Sequence, residues 1–285
     1  MGRVTVLGGM GFIGSHMIAR LKSEGHWVRC VDLNISRLRE PLWSQADDFQ
    51  VLDLRDASLT AAAISGSDLV YHFASDMGGV GYFFSDADYK ASLNNTQIDL
   101  NVFRACEQSG ARLFYASSFC AYPITDQRLS PSGRAVRAMS EADLGGGPAE
   151  QLYGEEKRLF ALAAIKAPFD ARVGLFSTIY GPYQDTDGVR SKFPTAIIDR
   201  IIRAKESGEP IEVWGNGTQT RTFLYIDDAI ERMCRIAEMP YSGPVNVGSD
   251  EEVTVRECAD WVCGFAGVEP NYGFNLSKPT GVMAK

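Results

Sequence analysis

The chain has 285 residues, of which 45% are hydrophobic and 22% charged, a globular composition that excludes wholesale disorder. Its 28 Lys and Arg against 36 Asp and Glu give a net charge of −8, which disfavours nucleic acid as a partner. No apolar run is long enough to cross a bilayer, and residues 1–7 (MGRVTVL) show no signal-peptide pattern, so we expect a cytoplasmic protein that is not bound to a membrane.

Strand-like runs alternate with helix-length segments through the first part of the chain. The predicted strands are Arg3–Leu7, Trp27–Asp32, Phe49–Leu52, Leu69–Ala74, Leu113–Ser117 and Ala171–Phe176. The predicted helices between them are Phe12–Ser23, Ala57–Ile64, Ala87–Glu107 and Gln151–Lys166. This order is typical of an α/β fold of the Rossmann type, with a doubly wound parallel sheet.

The pattern changes after Tyr180, where loops lengthen around residues 181–190 and the elements become shorter. Helices are predicted near Pro194–Ser207, Asp227–Glu238 and Thr254–Phe265, and strands near Ile211–Trp214, Thr222–Tyr225 and Val245–Val247. Residues 125–148, rich in Ser, Gly and Pro, predict a surface loop. We therefore predict a cofactor-binding Rossmann domain over residues 1–177, to which part of 218–245 returns, and a smaller α/β substrate lobe over residues 178–285.

The segment VTVLGGMGFIGSH joins the first strand to the first helix and carries Gly8, Gly11 and Gly14. These glycines allow a tight turn, a close approach of backbone N–H groups to a pyrophosphate, and close packing of helix on strand. The helix N-terminus adds a partial positive charge. Close packing alone is the alternative interpretation, but the strand-turn-helix context favours a dinucleotide.

Two acidic residues at strand ends refine the cofactor prediction. Asp32 lies where a carboxylate would bind a ribose 2′-hydroxyl and repel a 2′-phosphate, so NAD is favoured over NADP. Asp53 could accept a hydrogen bond from the adenine amino group, with a strand-end cap as the alternative. The predicted cofactor-binding residues are Gly8, Gly11, Phe12, Ile13, Gly14, Asp32, Asp53, Leu54, Ala74, Tyr153 and Lys157.

Tyr153 and Lys157, in YGEEK, lie four residues apart and therefore on one face of a helix. An ammonium beside the phenol should lower the pKa of Tyr153 toward working pH, which suits a proton carrier. Ser118 ends a strand and could hold a substrate hydroxyl against Tyr153. A Tyr and a Lys at this spacing are usually an exposed surface pair. The glycine turn upstream favours the interpretation that this pair is catalytic.

Six segments together resemble the extended short-chain dehydrogenase/reductase family over essentially the whole chain: GGMGFIGSH, the Asp32 strand end, VLDLRD, YASS, YGEEK and WGNGTQTRTFLYIDD. More narrowly, ASDMGGVGY, ASSFCAYP, LYGEEK, IYGP, WGNGTQTRTF and PVNVGSDE are similar to the GDP-mannose 3,5-epimerases. The resemblance implies an NAD-dependent isomerase acting on a nucleotide sugar, with a GDP-hexose favoured. It also implies a homodimer formed through two Rossmann helices, with Ala87–Glu107 and Gln151–Lys166 as candidates.

The chemistry that the resemblance implies is a transient oxidation. Hydride transfer from C4 to NAD, with Tyr153 taking the hydroxyl proton, leaves a 4-ketone and makes the protons at C3 and C5 acidic. The family pattern assigns the two proton carriers on opposite faces of the sugar to Cys120 and Lys192. A thiol and a desolvated ammonium can both exchange protons near neutrality. A small buried hydrophobe for Cys120 and a solvated helix start for Lys192 are the alternatives.

The resemblance also implies a set of substrate contacts. These are Gly79, Ser118, Cys120, Thr178, Lys192, Arg200, Gln219 and Arg221. Thr178 stands where the family has Asn before IYGP, which leaves the sugar open because a hydroxyl reaches less far than a carboxamide. Relatives usually continue for some tens of residues beyond the segment matching PTGVMAK, so we expect a truncated C-terminus.

Four other functions fit parts of the pattern. A nucleotide-sugar 4-epimerase would need the Ser/Tyr/Lys set but neither Cys120 nor Lys192. A GDP-4-keto-6-deoxymannose 3,5-epimerase-reductase normally has His at the position of Lys192 and consumes NADPH, which Asp32 disfavours. A 4,6-dehydratase has an Asp-Glu pair where this chain has Phe119-Cys120. A regulatory protein that only binds NAD would not require the Ser/Tyr/Lys set.

The cysteines and histidines of the chain indicate neither a zinc site nor disulfides. The six cysteines contain no C-x-x-C pair and the three histidines are far apart in the sequence, so we expect no metal. Reduced thiols in a cytoplasm are the expectation for a chain without an export signal. Core packing is the ordinary role for the five cysteines other than Cys120.

Overall fold

The computed structural model describes residues 1–135, 137, 139–186 and 190–285. Within them the strands are β1 (Arg3–Leu7), β2 (Trp27–Asp32), β3 (Asp48–Val51), β4 (Leu69–His72), β5 (Arg112–Ser118), β6 (Ala171–Phe176), β7 (Thr178–Tyr180), β8 (Ile211–Trp214), β9 (Thr220–Tyr225), β10 (Pro244–Val247), β11 (Glu252–Thr254) and β12 (Tyr272–Asn275). The helices are α1 (Phe12–Ser23), α2 (Glu40–Trp43), α3 (Ala57–Ile64), α4 (Val80–Phe83), α5 (Ala87–Ser109), α6 (Gln151–Ile165), α7 (Thr195–Ser207), α8 (Ile226–Glu238) and α9 (Val255–Ala266). Single 3-10 turns lie at Phe119–Ala121 and Glu141–Gly145.

The main sheet is parallel and has the strand order β10-β6-β5-β4-β1-β2-β3. Every residue of β6 is buried, as expected for a strand with helices on both sides. The order reverses at β1 and β4, which pair although β2 and β3 lie between them in the sequence. Ligands of such folds bind at the carboxyl ends of the strands beside this reversal. The sheet confirms the predicted Rossmann-type fold.

Helices cover the two faces of this sheet with separate apolar cores. On one face, α1 and α8 contribute fully buried side chains such as Met17 and Met233. On the other, α5 and α6 contribute Val102 and Ala161. Helix α8 and strand β10 thus return to the Rossmann half after the chain has left it. The predicted division into domains at residue 177 stays a prediction.

The smaller lobe consists of short elements. Strands β11, β9 and β7 form one small sheet, and β12 pairs in parallel with β8 in another. Helices α7 and α9 enclose a third apolar core that includes Ile197, Ile201, Val213 and Cys263. In the described part of the chain, no helix is both long enough and apolar enough to cross a membrane.

The differences from the sequence prediction are confined to short elements. Strands β7, β11 and β12 and helices α2 and α4, each of three or four residues, are too short to show a periodicity and were not predicted. The predicted surface loop at 125–148 contains the turn Glu141–Gly145, whose Leu144 is buried. Residues 136 and 138 of that loop, and 187–189 of the loop predicted at 181–190, lie outside the described residues.

Candidate active site

A cleft of about 670 Å³ opens at the carboxyl ends of the central strands and extends into the smaller lobe. It brings together predicted residues that are far apart in the sequence. Those that line it are Gly8, Gly11, Phe12, Ile13, Gly14, Asp32, Ala74, Gly79, Ser118, Cys120, Tyr153, Lys157, Thr178, Lys192, Arg200, Gln219 and Arg221. Two predicted cofactor residues, Asp53 and Leu54, are not part of this lining.

The glycine turn leaves no room for side chains. A Cβ on Gly8 would lie 2.6 Å from the backbone nitrogen of Ala74, and one on Gly14 would lie 2.1 Å from the carbonyl oxygen of Gly8. Gly8 also has a φ of 76°, which a residue with a side chain rarely adopts. Helix α1 begins after Gly11 with no side-chain cap, so its first N–H groups are open to an anion. The turn therefore fits a dinucleotide pyrophosphate.

Asp32 is fixed at the end of β2 by backbone donors. Its carboxylate accepts hydrogen bonds from the N–H groups of Met10 and Leu33, at 2.9 and 2.8 Å. Burial raises the pKa of Asp32, although these backbone donors oppose the shift. Arg39 also lines the cleft and is buried, but its guanidinium is paired with Asp185 at 2.6 Å. The carboxylate on this side of the cleft fits the ribose hydroxyls of NAD.

Asp53 has a partner outside the cleft. Its carboxylate forms an ion pair with Arg55 at 2.6 Å, and this hydrogen bond lowers the pKa of Asp53. Leu54 is buried in the core between the sheet and α5. A contact of either residue with the adenine stays a prediction.

Tyr153 is buried in the wall of the cleft. Its ring stacks on Phe83 at a centroid distance of 4.4 Å. Burial raises the pKa of Tyr153 well above its usual range, and a hydrogen bond with Ser118 acts in the opposite direction. The sequence-based expectation of a lowered pKa was therefore wrong for this structure, because burial outweighs the effect of Lys157, whose Nζ lies 5.9 Å from the centre of the ring.

Lys157 is held by acidic and phenolic groups beneath the cleft. Its ammonium donates to the hydroxyl of Tyr115 at 3.3 Å and forms ion pairs with Glu156 at 3.1 Å and Asp99 at 3.8 Å. Burial opposes its charge, but Asp99 and Glu156 prevail and raise the pKa of Lys157. The side chain is therefore a buried, charged group next to Tyr153.

Cys120 has a neighbour that sequence reasoning missed. The ammonium of Lys285 donates a hydrogen bond to Cys120 Sγ at 2.9 Å. The same ammonium is hydrogen-bonded to the carboxylate of Glu150. Burial works against the charge of Lys285, but Cys120 and Glu150 raise its pKa. The thiol thus lies directly beside a positive charge.

Lys192 lies on a loop against α4. A Cβ on Gly79 would come within 2.4 Å of the carbonyl oxygen of Ser191 and 3.7 Å of Lys192 Cα. Gly79 therefore permits close packing of this loop. Burial lowers the pKa of Lys192 to about 8, and Cys120 partly opposes the shift. The ammonium can therefore exchange its proton near neutrality.

The predicted nucleotide-binding side chains come together in the smaller lobe. Arg221 donates to the carbonyl oxygens of Thr280 and Val282, at 2.9 and 3.0 Å, so part of its guanidinium is already occupied. Arg200 stacks on Trp214, with its Cζ 4.6 Å from the ring centre. Gln219 donates to the carbonyl oxygen of Trp214 at 2.8 Å, while its buried Oε1 has no partner among the described groups. That oxygen is available to a ligand.

Sequence and structure comparisons agree on one family. The sequence profile described as the NAD dependent epimerase/dehydratase family matches residues 4–248. The chain belongs to the NAD-dependent epimerase/dehydratase family. GDP-mannose 3,5-epimerase 1 of Oryza sativa subsp. japonica is 35% identical over 269 residues, which make up 92% of this chain and 68% of that protein.

Solved structures share the fold of the family. The UDP-glucose 4-epimerase of Thermotoga maritima with UDP-glucose superposes with a TM-score of 0.85 at 20% identity, over 99% of this chain and 88% of that one. MoeE5 in complex with UDP-glucuronic acid and NAD has a TM-score of 0.78 at 26% identity, again over 99% and 88%. Together, the sequence and structure comparisons confirm the predicted family and the predicted Rossmann-type fold. They also confirm the predictions that the cofactor is NAD and that the protein is an NAD-dependent epimerase.

Several residues of the cleft could not be found from local sequence signals. Lys285 and Glu150 are 135 positions apart, and no motif connects them. Arg39 and Asp185 are separated by a similar distance along the chain. Among the described residues, no group of three or more His, Cys, Asp or Glu side chains is placed to hold a metal ion.

Proposed function

We propose that the chain is a nucleotide-sugar epimerase that inverts C3 and C5 of a GDP-hexose, GDP-mannose in the first place, through a transient 4-keto sugar. The observation that carries the proposal is the presence of Cys120 and Lys192 in the same cleft as Tyr153. Inversion only at C4 needs no further proton carrier, whereas inversion beside a ketone needs two. The similarity to GDP-mannose 3,5-epimerase supports the choice of sugar and nucleotide.

The oxidation side of the cleft is built around Tyr153. NAD bound in the cleft supplies a reversible hydride acceptor and a positively charged ring. Tyr153, as a phenolate, accepts the proton of the sugar C4 hydroxyl, and Ser118 orients that hydroxyl. Because burial raises the pKa of Tyr153, its phenolate needs nearby positive charge, which Lys157 provides from the same helix.

The inversion side consists of a base and an acid. Lys285 donates to the sulfur of Cys120, so we assign Cys120 as the thiolate base that removes a proton α to the ketone. The electrons of that C–H bond form an enolate. Lys192, with a pKa of about 8, returns a proton from its ammonium to the opposite face of the carbon. Tyr153 then returns its proton to the C4 oxygen as the ketone is reduced again, so the sugar leaves inverted at that carbon with no net oxidation.

The smaller lobe, residues 178–285, is proposed to bind the nucleotide diphosphate. Arg200 and Arg221 provide guanidinium groups for its phosphates, and Gln219 provides a free amide oxygen. Thr178 and Gly79 also line the cleft, and we assign them to the sugar. The positions of these side chains support the proposal, and mutation of Arg221 to Gln should raise KM more than it lowers kcat.

Proton NMR in heavy water with a panel of GDP-, UDP- and dTDP-hexoses tests this function. The expected result is deuterium incorporation at C3 or C5 of a GDP-hexose, because protons removed by Cys120 are replaced from solvent. Inversion at C4 without deuterium in any sugar would establish a 4-epimerase instead. Reduction of a 4-keto sugar with consumption of NADPH would establish an epimerase-reductase.

A homodimer is proposed to form through α5 and α6. Exposed apolar side chains follow both helices, with Tyr89 and Leu93 on α5 and Leu152 and Leu159 on α6. The starts of the helices are joined because the N–H of Leu152 donates to Asp88 at 3.1 Å. Exposed apolar side chains on two neighbouring helices are a feature of protein-protein contacts. Light scattering should show a dimer that Leu93→Glu converts to a monomer.

We also propose that the enzyme works in a reducing compartment, as the cytoplasm is. All six cysteines are free thiols in the structure, and the proposed role of Cys120 requires a thiol. Cell fractionation of the source organism, with an antibody to the chain, tests the location.

A further inference from the structure

Five polar side chains form a buried cluster behind Tyr153, and none of them is more than 5% exposed. They come from four elements: His72 from β4, Asp99 from α5, Tyr115 from β5, and Glu156 and Lys157 from α6. Only His72 and Lys157 reach the cleft wall. The proposed function assigns a role only to Lys157, although burial of ionisable groups is costly unless they are paired.

Asp99 is at the centre of this cluster. One carboxylate oxygen is hydrogen-bonded to His72 Nε2 at 2.7 Å. The other accepts a hydrogen bond from the hydroxyl of Tyr115 at 2.7 Å and lies 3.8 Å from Lys157 Nζ. Burial opposes its charge, but Lys157 and His72 hold the pKa of Asp99 below its usual range. Asp99 is thus a buried anion with every oxygen partnered.

Glu156 provides a second carboxyl on the other side of the ammonium. Its Oε1 lies 3.1 Å from Lys157 Nζ, while Oε2 is buried and has no partner among the described groups. Burial raises the pKa of Glu156 to about 8, and the negative charge of Asp99 contributes to the shift. The Lys157 ammonium thus lies between two carboxyl groups, of which Asp99 is held in its charged form and Glu156 is favoured in its protonated form.

We propose that Asp99 is a positioning residue of the active site, which holds the Lys157 ammonium in place and charged beside Tyr153, with Glu156 as a second carboxyl that takes over when Asp99 is lost. The inference rests on the proposed function, because it is the role of Lys157 that gives the cluster a purpose. Asp99 does not line the cleft, so it acts through Lys157 and not on the substrate.

The charges around Lys157 determine what removal of Asp99 does. Lys157 faces Asp99 from α5, Tyr115 from β5, and Glu156 and Tyr153 from its own helix. His72 acts on it through Asp99, and the ammonium of Lys192 repels it across the cleft. Loss of Asp99 removes the main attraction and leaves the effect of burial, so the pKa of Lys157 falls. Loss of Asp99 also lowers the pKa of Glu156, whose carboxylate then pairs with Lys157.

A double-mutant cycle measures this compensation. Asp99→Asn keeps the shape and should lower kcat roughly tenfold with little change in KM, the loss seen when a partner that orients a functional group is removed. Glu156→Gln should stay within about threefold of the parent, since Asp99 still balances Lys157. The double variant leaves the ammonium without a counterion and should lose more than about 100-fold, well beyond the product of the two single effects.

The titration of Lys157 provides a readout that does not depend on the substrate. In NAD-bound protein labelled at lysine Cε, the Lys157 signal, assigned with Lys157→Arg, should titrate at lower pH in Asp99→Asn and lowest in the double variant. Asn101→Ala is a matched control on the same helix, because Asn101 is buried and bonds the carbonyl oxygens of Leu54 and Arg55. It should lose stability without moving the Lys157 titration.

The outcomes separate this inference from the proposed function. An unchanged Lys157 titration and additive effects on kcat would overturn the role of Asp99, whatever sugar the enzyme uses. If no hexose is inverted but the titration shifts as described, the proposed function fails and the role of Asp99 stands. Should Asp99→Asn fail to fold, Tyr115→Phe removes a contact of the same ammonium without a change of charge, and an unmoved Lys157 signal there would equally count against the cluster.

Discussion

The Tyr153 side of the cleft is buried and held by the parallel sheet, whereas the Cys120 side is formed by loops and by a lysine far along the chain. Tyr153 and Lys157 are 7% and 4% exposed and lie on one helix. Cys120, Lys192 and Lys285 are half-buried and come from three separate segments. The Tyr153 side is therefore positioned by the sheet and one helix. The position of the Cys120 side depends on contacts between a few side chains from distant segments.

Under the proposed roles, this difference between the two sides has a functional consequence. The Tyr153 side oxidises C4, which every later step requires, so a change there should remove all activity. The Cys120 side acts only on the carbons next to the ketone, so a change there should leave the oxidation at C4. Variants of the two sides should therefore be distinguishable by which sugar positions still react.

The largest effect is expected for Tyr153→Phe. The variant lacks the hydroxyl that carries the C4 proton, and turnover should fall about 10⁴-fold, the upper range for loss of a general acid-base group. Product formation by NMR measures the loss. Binding of NAD, followed by fluorescence, should be largely retained because the glycine turn and Asp32 are unchanged. Turnover within about tenfold of the parent would exclude Tyr153 as the proton carrier.

A smaller and more selective effect is expected for Cys120→Ala. Deuterium incorporation at C3 and C5 should fall about 10³-fold, since the base is removed. Oxidation at C4 should continue and be visible as absorbance of reduced nicotinamide. Cys234→Ala is the matched control, because Cys234 is a half-buried thiol that packs against Met17 away from the cleft. Equal loss of C4 oxidation in Cys120→Ala would remove the distinction between the two sides.

The pH dependence of inversion should report on Lys192. Burial lowers its pKa to about 8, so the ammonium is present below that pH and gives up its proton above it. Since Lys192 acts as the acid, kcat/KM for inversion should fall about tenfold per unit as pH rises above about 8. Glu156 has a similar pKa, and Glu156→Gln decides between them. The fall should persist in that variant, and its disappearance would assign it to Glu156.

The glycine turn, Asp32 and the Tyr153/Lys157 pair were predictable from the sequence because each is a local pattern on one strand end or one helix. The doubly wound parallel sheet followed from the alternation of strands and helices. Local patterns could not predict Lys285 beside Cys120, or Asp99 beside Lys157, since these contacts join distant segments. The pKa of Tyr153 was also misjudged, because burial is a property of the folded core and is not visible in the spacing of residues.

Lys285→Met should have the smallest effect and sharpens the comparison most. Without its ammonium, Cys120 loses the positive charge 2.9 Å from its sulfur, while the oxidation side is untouched. Inversion should fall by about tenfold or less, and C4 oxidation should not change.

The rate of Cys120 alkylation by iodoacetamide at pH 7 measures the thiolate directly and should fall by a similar factor in NAD-bound protein. Lys285→Arg, which keeps the positive charge, should restore most of that rate. An alkylation rate unchanged in Lys285→Met would show that Lys285 only fills space beside the sulfur, and the base of the inversion would then need another source of activation.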